Sequence, residues 1–313
     1  AFNSSRTYPY LNFIKSEEIL IDNKLKKVIN KISVENKLGK NFLKDFISKL
    51  KIFYSWYNHG IKLFENNSYI KRIFIACWYT PDAMGLIAAA KKFNILTFDM
   101  QHGIQGKYRP MYTDWTNIQK EGYELLPNYF CCWNKDTKIN ILTSSKKRTD
   151  NIPKVIGNSW INLYEKKLKI KKSINNKRVI LFCLQPQTST NDIVIPKFIK
   201  TFIDSDTFKK DIFIFRFHPN DLSNKDEVKN FINNHKKQSQ LKIDTGEFYI
   251  FDALNYCTHH ITAWSTTALE ASYFKKNSAV FGQDAKVVFK KYIKKNYIKW
   301  LNGSNKSLIK WIS

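Results

Sequence analysis

A chain of 313 residues, 43% hydrophobic and 15% aromatic, is long enough for two cored domains and too apolar for a disordered chain. Its formal net charge is +26, from 52 Lys+Arg against 26 Asp+Glu, which directs it toward anionic partners. No run approaches the ~18 apolar residues of a membrane span and no signal peptide pattern is visible, so a soluble or peripheral protein is expected.

Nucleic acid is the first anionic partner to weigh, and composition argues against it. Only six of the 52 basic residues are Arg, whereas bidentate recognition of phosphate and bases favours Arg. The lysines are spread along the chain among Asn and Ile rather than gathered in a stripe. Five cysteines (Cys77, Cys131, Cys132, Cys183, Cys257) lack CxxC spacing and read as reduced, buried packing residues, with no metal site expected. The chain opens on Ala1 without a methionine, which allows for residues upstream.

Residues 11–66 place Leu, Ile, Phe and Trp at spacings of three and four, a helical period. Ile73 to Cys77 is a continuous apolar run and predicts a buried strand. Pro81-Asp82 then opens an Ala-rich helix to Phe93, with Asp82 as cap or first-turn acid. Ile95 to Met100 predicts the next strand, and Tyr129 to Trp133 and Lys154 to Ile156 two more. This alternation indicates a parallel sheet with crossovers. The polar stretch 166–177 predicts a linker.

A second series follows. Strands are expected at Val179–Leu184, Ile212–Phe217, His260–Thr262 and Ala279–Phe281, with helices at Ile195–Phe202, Lys225–Asn233, Phe248–Cys257 and Thr267–Phe274. The expected fold is α/β, two Rossmann-like domains facing across a cleft, with bounds 1–165 and 178–285. From Lys286 to the end, Val288, Phe289, Tyr292, Ile293, Tyr297, Trp300 and Leu301 form one apolar helical stripe between lysines. Such a tail either packs on the domains or leans on anionic lipid headgroups.

Ligands in open α/β sheets bind beyond the carboxyl ends of the strands, and three motifs fall there. Arg216 and His218 are two apart and project to one face, with Pro219 ending the strand. A cation and an imidazole together suit a departing phosphate. Thr267-Ala-Leu-Glu270 has capping-box spacing, and Ser265-Thr266 adds hydroxyls beside a helix N-terminus. His102, between Gln101 and Gly103, follows a buried strand and is a candidate general base. Arg109, Tyr112 and Asp114 supply further polar groups, with Asp114 the second candidate base. Gly157-Asn158-Ser159 approaches a nucleotide through its backbone or simply turns the chain. The remaining histidines, His259 and His260 among them, are weak candidates.

In order, Asp99-Met-Gln-His-Gly103, Tyr129-Phe-Cys-Cys-Trp133, Ile156-Gly-Asn158, Arg216-Phe-His-Pro219 and Ser265-Thr-Thr-Ala-Leu-Glu-Ala271 resemble bacterial surface-polysaccharide glycosyltransferases of the GT-B fold. The resemblance runs from about Ile73 to Gly282 and extends to sialyltransferases, Kdo transferases and teichoic-acid glycerophosphate polymerases. It implies that His218, Ser265, Thr266 and Thr267 hold a nucleotide phosphate and that His102 deprotonates the acceptor. No paired-acid-plus-glycine base motif of the sialyltransferase kind is present. Glu270 has Asn277 seven residues on, so the retaining Glu-x7-Glu pattern is missing and inversion is implied.

The expectation is therefore an inverting glycosyltransferase with no metal and no cofactor. It would move a sugar from a nucleotide-sugar donor, CMP-linked before UDP-linked, to a lipopolysaccharide or capsule glycan. Its expected place is the cytoplasm or the inner face of the cytoplasmic membrane. The rivals are a CDP-glycerol or CDP-ribitol phosphotransferase, a sugar-nucleotide epimerase of the same fold, and a non-catalytic polyanion binder.

Overall fold

The computed structural model describes residues 22–39, 41–105, 109, 111–113, 123–144, 151–167, 177–185, 194–218 and 221–313. Asp114 and Pro219 lie outside the described residues. The chain divides into two compact units between Asn158 and Ser159.

The first unit runs α1 (Asn23–Glu35), α2 (Phe42–Asn66), β1 (Arg72–Ile75), α3 (Pro81–Lys92), β2 (Leu96–Met100), β3 (Tyr129–Cys132), α4 (Lys135–Ser144), β4 (Ile152–Val155). Its four strands pair in parallel in the order β1-β2-β3-β4. Pro81 sits in the first helical turn of α3, where its missing N–H costs nothing; Thr80 is the N-cap, and Asp82 is the first-turn acid, one of its two expected places. The Ala-rich face of α3 lets it approach α2 closely. A Cβ at Gly85 would fall on the Phe53 carbonyl and lie 2.9 Å from Tyr57 N, so glycine is required for that approach. Beneath the sheet, Ile87, Leu126, Phe130, Cys132 and Ile141 form the buried core.

β1 ends at Ile75, short of the expected Cys77, because Cys77 takes a left-handed backbone with φ 61° and cannot extend the ladder. Helix α4 was not expected; its sequence shows no apolar period.

The second unit runs α5 (Ser159–Lys167), β5 (Val179–Cys183), α6 (Lys197–Asp204), β6 (Ile212–Arg216), α7 (Lys225–Asn233), β7 (Leu241–Asp244), α8 (Ile250–Tyr256), β8 (His259–Thr262), α9 (Thr267–Tyr273), β9 (Asn277–Phe281), α10 (Gln283–Val288), α11 (Lys290–Lys294), β10 (Lys299–Leu301), α12 (Asn305–Ile312). Six parallel strands lie in the order β10-β9-β8-β5-β6-β7. All five β5 residues are buried, as a central strand covered on both faces demands. On one face Phe182, Phe213, Phe215 and Phe217 pack with Ile199 and Phe202 of α6 and Leu308 and Ile312 of α12. On the other, Val179 and Leu181 pack with Phe251 and Leu254 of α8.

The segment after Lys286 is not one helical stripe. Asn296 takes φ 57°, the helix stops, and Lys299, Trp300 and Leu301 join β9 in parallel as an edge strand. The apolar residues that mimic a helical face are thus divided between two short helices and a strand. β7 was also not expected: it is four residues long, with charges at Lys242 and Asp244. Among the described residues no helix is long and apolar enough to cross a membrane.

Candidate functional site

In the first unit, His102 stands two residues beyond the carboxyl end of β2 and is exposed to solvent. Its Nε2 lies 3.1 Å from Cys77 Sγ and 3.4 Å from Tyr79 Oη. Partial enclosure strips water from the ring and lowers its pKa below the ordinary imidazole value; the Met100 backbone works against this and the charge of Arg109 adds to it. Nε2 is the ring nitrogen turned to Cys77 and Tyr79. Tyr79 has its pKa pushed up to about 12, mainly by burial and then by its Cys77 bond, so it remains a hydroxyl donor.

Cys77 corrects the expectation of a buried packing thiol. It is half-exposed and touches the imidazole, whereas Cys131, Cys132, Cys183 and Cys257 are buried. Gln101 is buried and shapes the loop: its Nε2 donates to the Gly103 carbonyl at 2.7 Å, and its Oε1 accepts the Trp133 N–H at 2.6 Å. Arg109 is exposed and near enough to act on the charges of His102 and Tyr79. Tyr112, expected as a polar group of the cleft, is 3% exposed, with its ring edge-on to Tyr79 and Phe130. Asn158 is buried at the end of this unit, next to Gly157 at φ 76°.

Asp99 opens the motif that ends at Gly103, where sequence alone assigns it no role. It is fully buried in β2, and burial pushes its carboxyl pKa to about 7 against the Trp78 N–H, Tyr112 and Gln105, which lower it. The available signal is a carboxylate inside a run expected to form a buried strand.

In the second unit, strand register brings Cys183, Arg216, Asp244 and Thr262 to one level at the carboxyl edge of the sheet. Arg216 was expected as a phosphate-binding cation, but it is buried and ion-paired with Asp244, and it donates to the Phe248 carbonyl at 3.0 Å. β7, the strand missing from the sequence reading, supplies that partner. His218 is half-buried beyond β6. Burial lowers its pKa while Asp221 raises it, and its carbonyl accepts the Asp221 N–H at 3.0 Å.

Ser265, Thr266 and Thr267 are half-buried at the start of α9. The capping box does not form: Thr266 is the N-cap, and Thr267 Oγ1 lies 3.0 Å from His260 Nε2 instead of capping. Ser265 Oγ accepts the Thr267 N–H at 3.3 Å. Glu270 has an enclosed carboxyl whose pKa burial pushes to about 7, with Arg216 pulling it down. His260, dismissed from sequence, is fully buried between Thr267 and Ser278, and burial takes its pKa to about 3.

No family model matches this sequence, and no curated protein matches it. Solved structures do. The chain is similar to a UDP-GlcNAc 2-epimerase from Neisseria meningitidis bound to UDP-GlcNAc, at 15% identity and TM-score 0.58, over 84% of this chain and 72% of that one. It is similar to a UDP-GlcNAc 2-epimerase from Methanocaldococcus jannaschii at 15% identity and TM-score 0.58, over 83% and 74%. It is also similar to S. aureus MnaA with UDP at 13% identity and TM-score 0.56, over 82% and 68%. At these identities the likeness establishes the fold. The protein is an α/β protein of the GT-B class with two parallel sheets.

Proposed function

We propose that the protein is a nucleotide-sugar-dependent, inverting glycosyltransferase that builds a lipopolysaccharide- or capsule-type glycan. The observation that carries this reading is His102: an exposed imidazole at a strand's carboxyl end, lowered in pKa, with Nε2 beside Cys77 and Tyr79. Neutral at pH 7, it deprotonates an acceptor hydroxyl, which attacks the donor's anomeric carbon as the nucleotide phosphate leaves. His218 and the hydroxyls of Ser265 and Thr266, in the second unit, are the groups suited to hold a nucleotide phosphate. Arg216 supports this edge through its pair with Asp244 rather than as an open cation.

The fold relatives include proteins solved with UDP-GlcNAc or UDP, which supports a nucleotide-sugar donor; UDP- and CMP-linked sugars are the first substrates to assay. They also favour a second reading, an acceptor-independent 2-epimerase. One experiment separates the readings. The protein is incubated with UDP- and CMP-sugars, with and without a glycan acceptor, and products are analysed by mass and NMR. A new glycoside of inverted anomeric configuration, formed only with acceptor, is expected. An epimerised sugar nucleotide without acceptor, or a phosphodiester product from CDP-glycerol, replaces this reading.

A further inference from the structure

Asp99 stands in mid-sheet, in register with Ile75 of β1 and Phe130 of β3, and is fully buried. A carboxyl there is costly, since an apolar side chain would pack the strand without desolvating a polar group. Its Oδ1 accepts the Trp78 backbone N–H at 3.2 Å. Trp78 lies between Cys77 and Tyr79, the two residues whose side chains meet His102 Nε2. Cys77 holds a left-handed φ of 61°, a conformation that costs on the order of 1–3 kcal/mol and persists only where surroundings impose it. Two of the bonds that hold it are local, from Thr80 N and Thr80 Oγ1 to the Cys77 carbonyl at 3.0 and 3.1 Å. A bond from outside the turn comes from Asp99. Its Oδ2, like Gln105 Nε2 and Tyr112 Oη, is buried without a hydrogen-bond partner among the described residues. Tyr112 in turn sets its ring edge-on to Tyr79 at 6.0 Å.

We propose that Asp99 is a positioning residue of the His102 site: it fixes the Cys77–Tyr79 turn through the Trp78 N–H. The proposal rests on the reading of His102 as the base. Two near-isosteric variants test it. Asp99→Asn keeps an oxygen that accepts the Trp78 N–H, and Asp99→Leu removes it. The readouts are the His102 imidazole titration by NMR, the alkylation rate of Cys77 by iodoacetamide followed by mass spectrometry, and kcat against donor KM. For Asp99→Leu, His102 is expected to titrate at a shifted pH and Cys77 to change its alkylation rate. With the base displaced, kcat should fall on the order of 10²-fold at little-changed donor KM. Asp99→Asn should stay close to the parent in all three. A folded Asp99→Leu protein with unaltered titration and alkylation overturns the proposal. So does an Asp99→Asn protein as impaired as the leucine variant, which would make the carboxyl itself the proton acceptor. If Asp99→Leu does not fold, Asp99→Asn decides alone, an altered His102 titration overturning the proposal and an unaltered one sustaining it. Should the parent show no sugar transfer, the reading of His102 as base fails, while titration and alkylation still decide what Asp99 holds in place.

Discussion

His260 Nε2 and Thr267 Oγ1 lie 3.0 Å apart, and the opposite side of the same imidazole meets Ser278 Oγ at 3.0 Å. A buried neutral histidine with both nitrogens engaged holds the Thr267 hydroxyl in one orientation at the start of α9. Replacing His260 by Ala removes two hydrogen bonds of about 1 kcal/mol each and leaves a cavity. It should lower stability and weaken nucleotide binding together. A double-mutant cycle with Thr267→Ala, read by urea unfolding and by calorimetric titration of UDP and CMP, should show a coupling of about 0.5–3 kcal/mol. Additive single effects would mean the two side chains do not act on each other.

The Arg216–Asp244 pair yields a second prediction. Both groups are buried, so losing one partner strands the other's charge. Asp244→Asn should cost about 3–5 kcal/mol in urea unfolding. Replacing both, as Arg216→Met with Asp244→Leu, should recover much of that loss. If the single substitution costs less than surface changes do, Arg216 is not held by Asp244 and returns as a cation open to ligand.

Glu270 and His260 oppose each other in pH dependence. Glu270 has a folded pKa of about 7 against 4.5 for the ordinary carboxyl, so the folded state holds a proton that the unfolded chain has released. Its contribution is complete below about 4.5 and is lost as pH rises through 7. His260, at about 3 against 6.5, contributes fully above 6.5 and loses its contribution as pH falls toward 3. Glu270→Gln should therefore raise stability at pH 7 relative to pH 5, by up to about 2 kcal/mol compared with the parent. Melting temperatures at the two pH values check the sign; an unchanged difference would place the carboxyl in contact with water.

The architecture was legible because buried parallel strands are written as continuous apolar runs: Val179–Cys183 and Ile212–Arg216 announce themselves, and Lys225–Asn233 follows its period to the residue. What failed was short or mixed in character. β7 carries two charges in four residues, so neither period nor apolar run marks it, and with it went the partner of Arg216. Trp300 and Leu301 continue a helical spacing by coincidence, while their pairing with β9 is decided by tertiary contact. In the candidate site His102 could be read from its place after a strand. Cys77 and Asp99 could not, because their relation to His102 depends on a left-handed residue and a bond across 21 positions.

The acid limb of activity gives the last prediction. His102 must be unprotonated to take the acceptor's proton, and partial enclosure, helped by Arg109, holds its pKa below the ordinary imidazole value. The acid limb of kcat/KM should therefore fall below pH 6.5, with activity lost as pH drops through it. Arg109→Gln removes a nearby positive charge, which favours the imidazolium and should move the limb to higher pH. His102→Ala should abolish the limb and cut kcat on the order of 10²–10⁴-fold, while nucleotide affinity measured by calorimetry stays close to the parent. An acid limb unmoved by Arg109→Gln would assign it to another group. A loss of nucleotide affinity in His102→Ala would make His102 part of the donor site instead of the base.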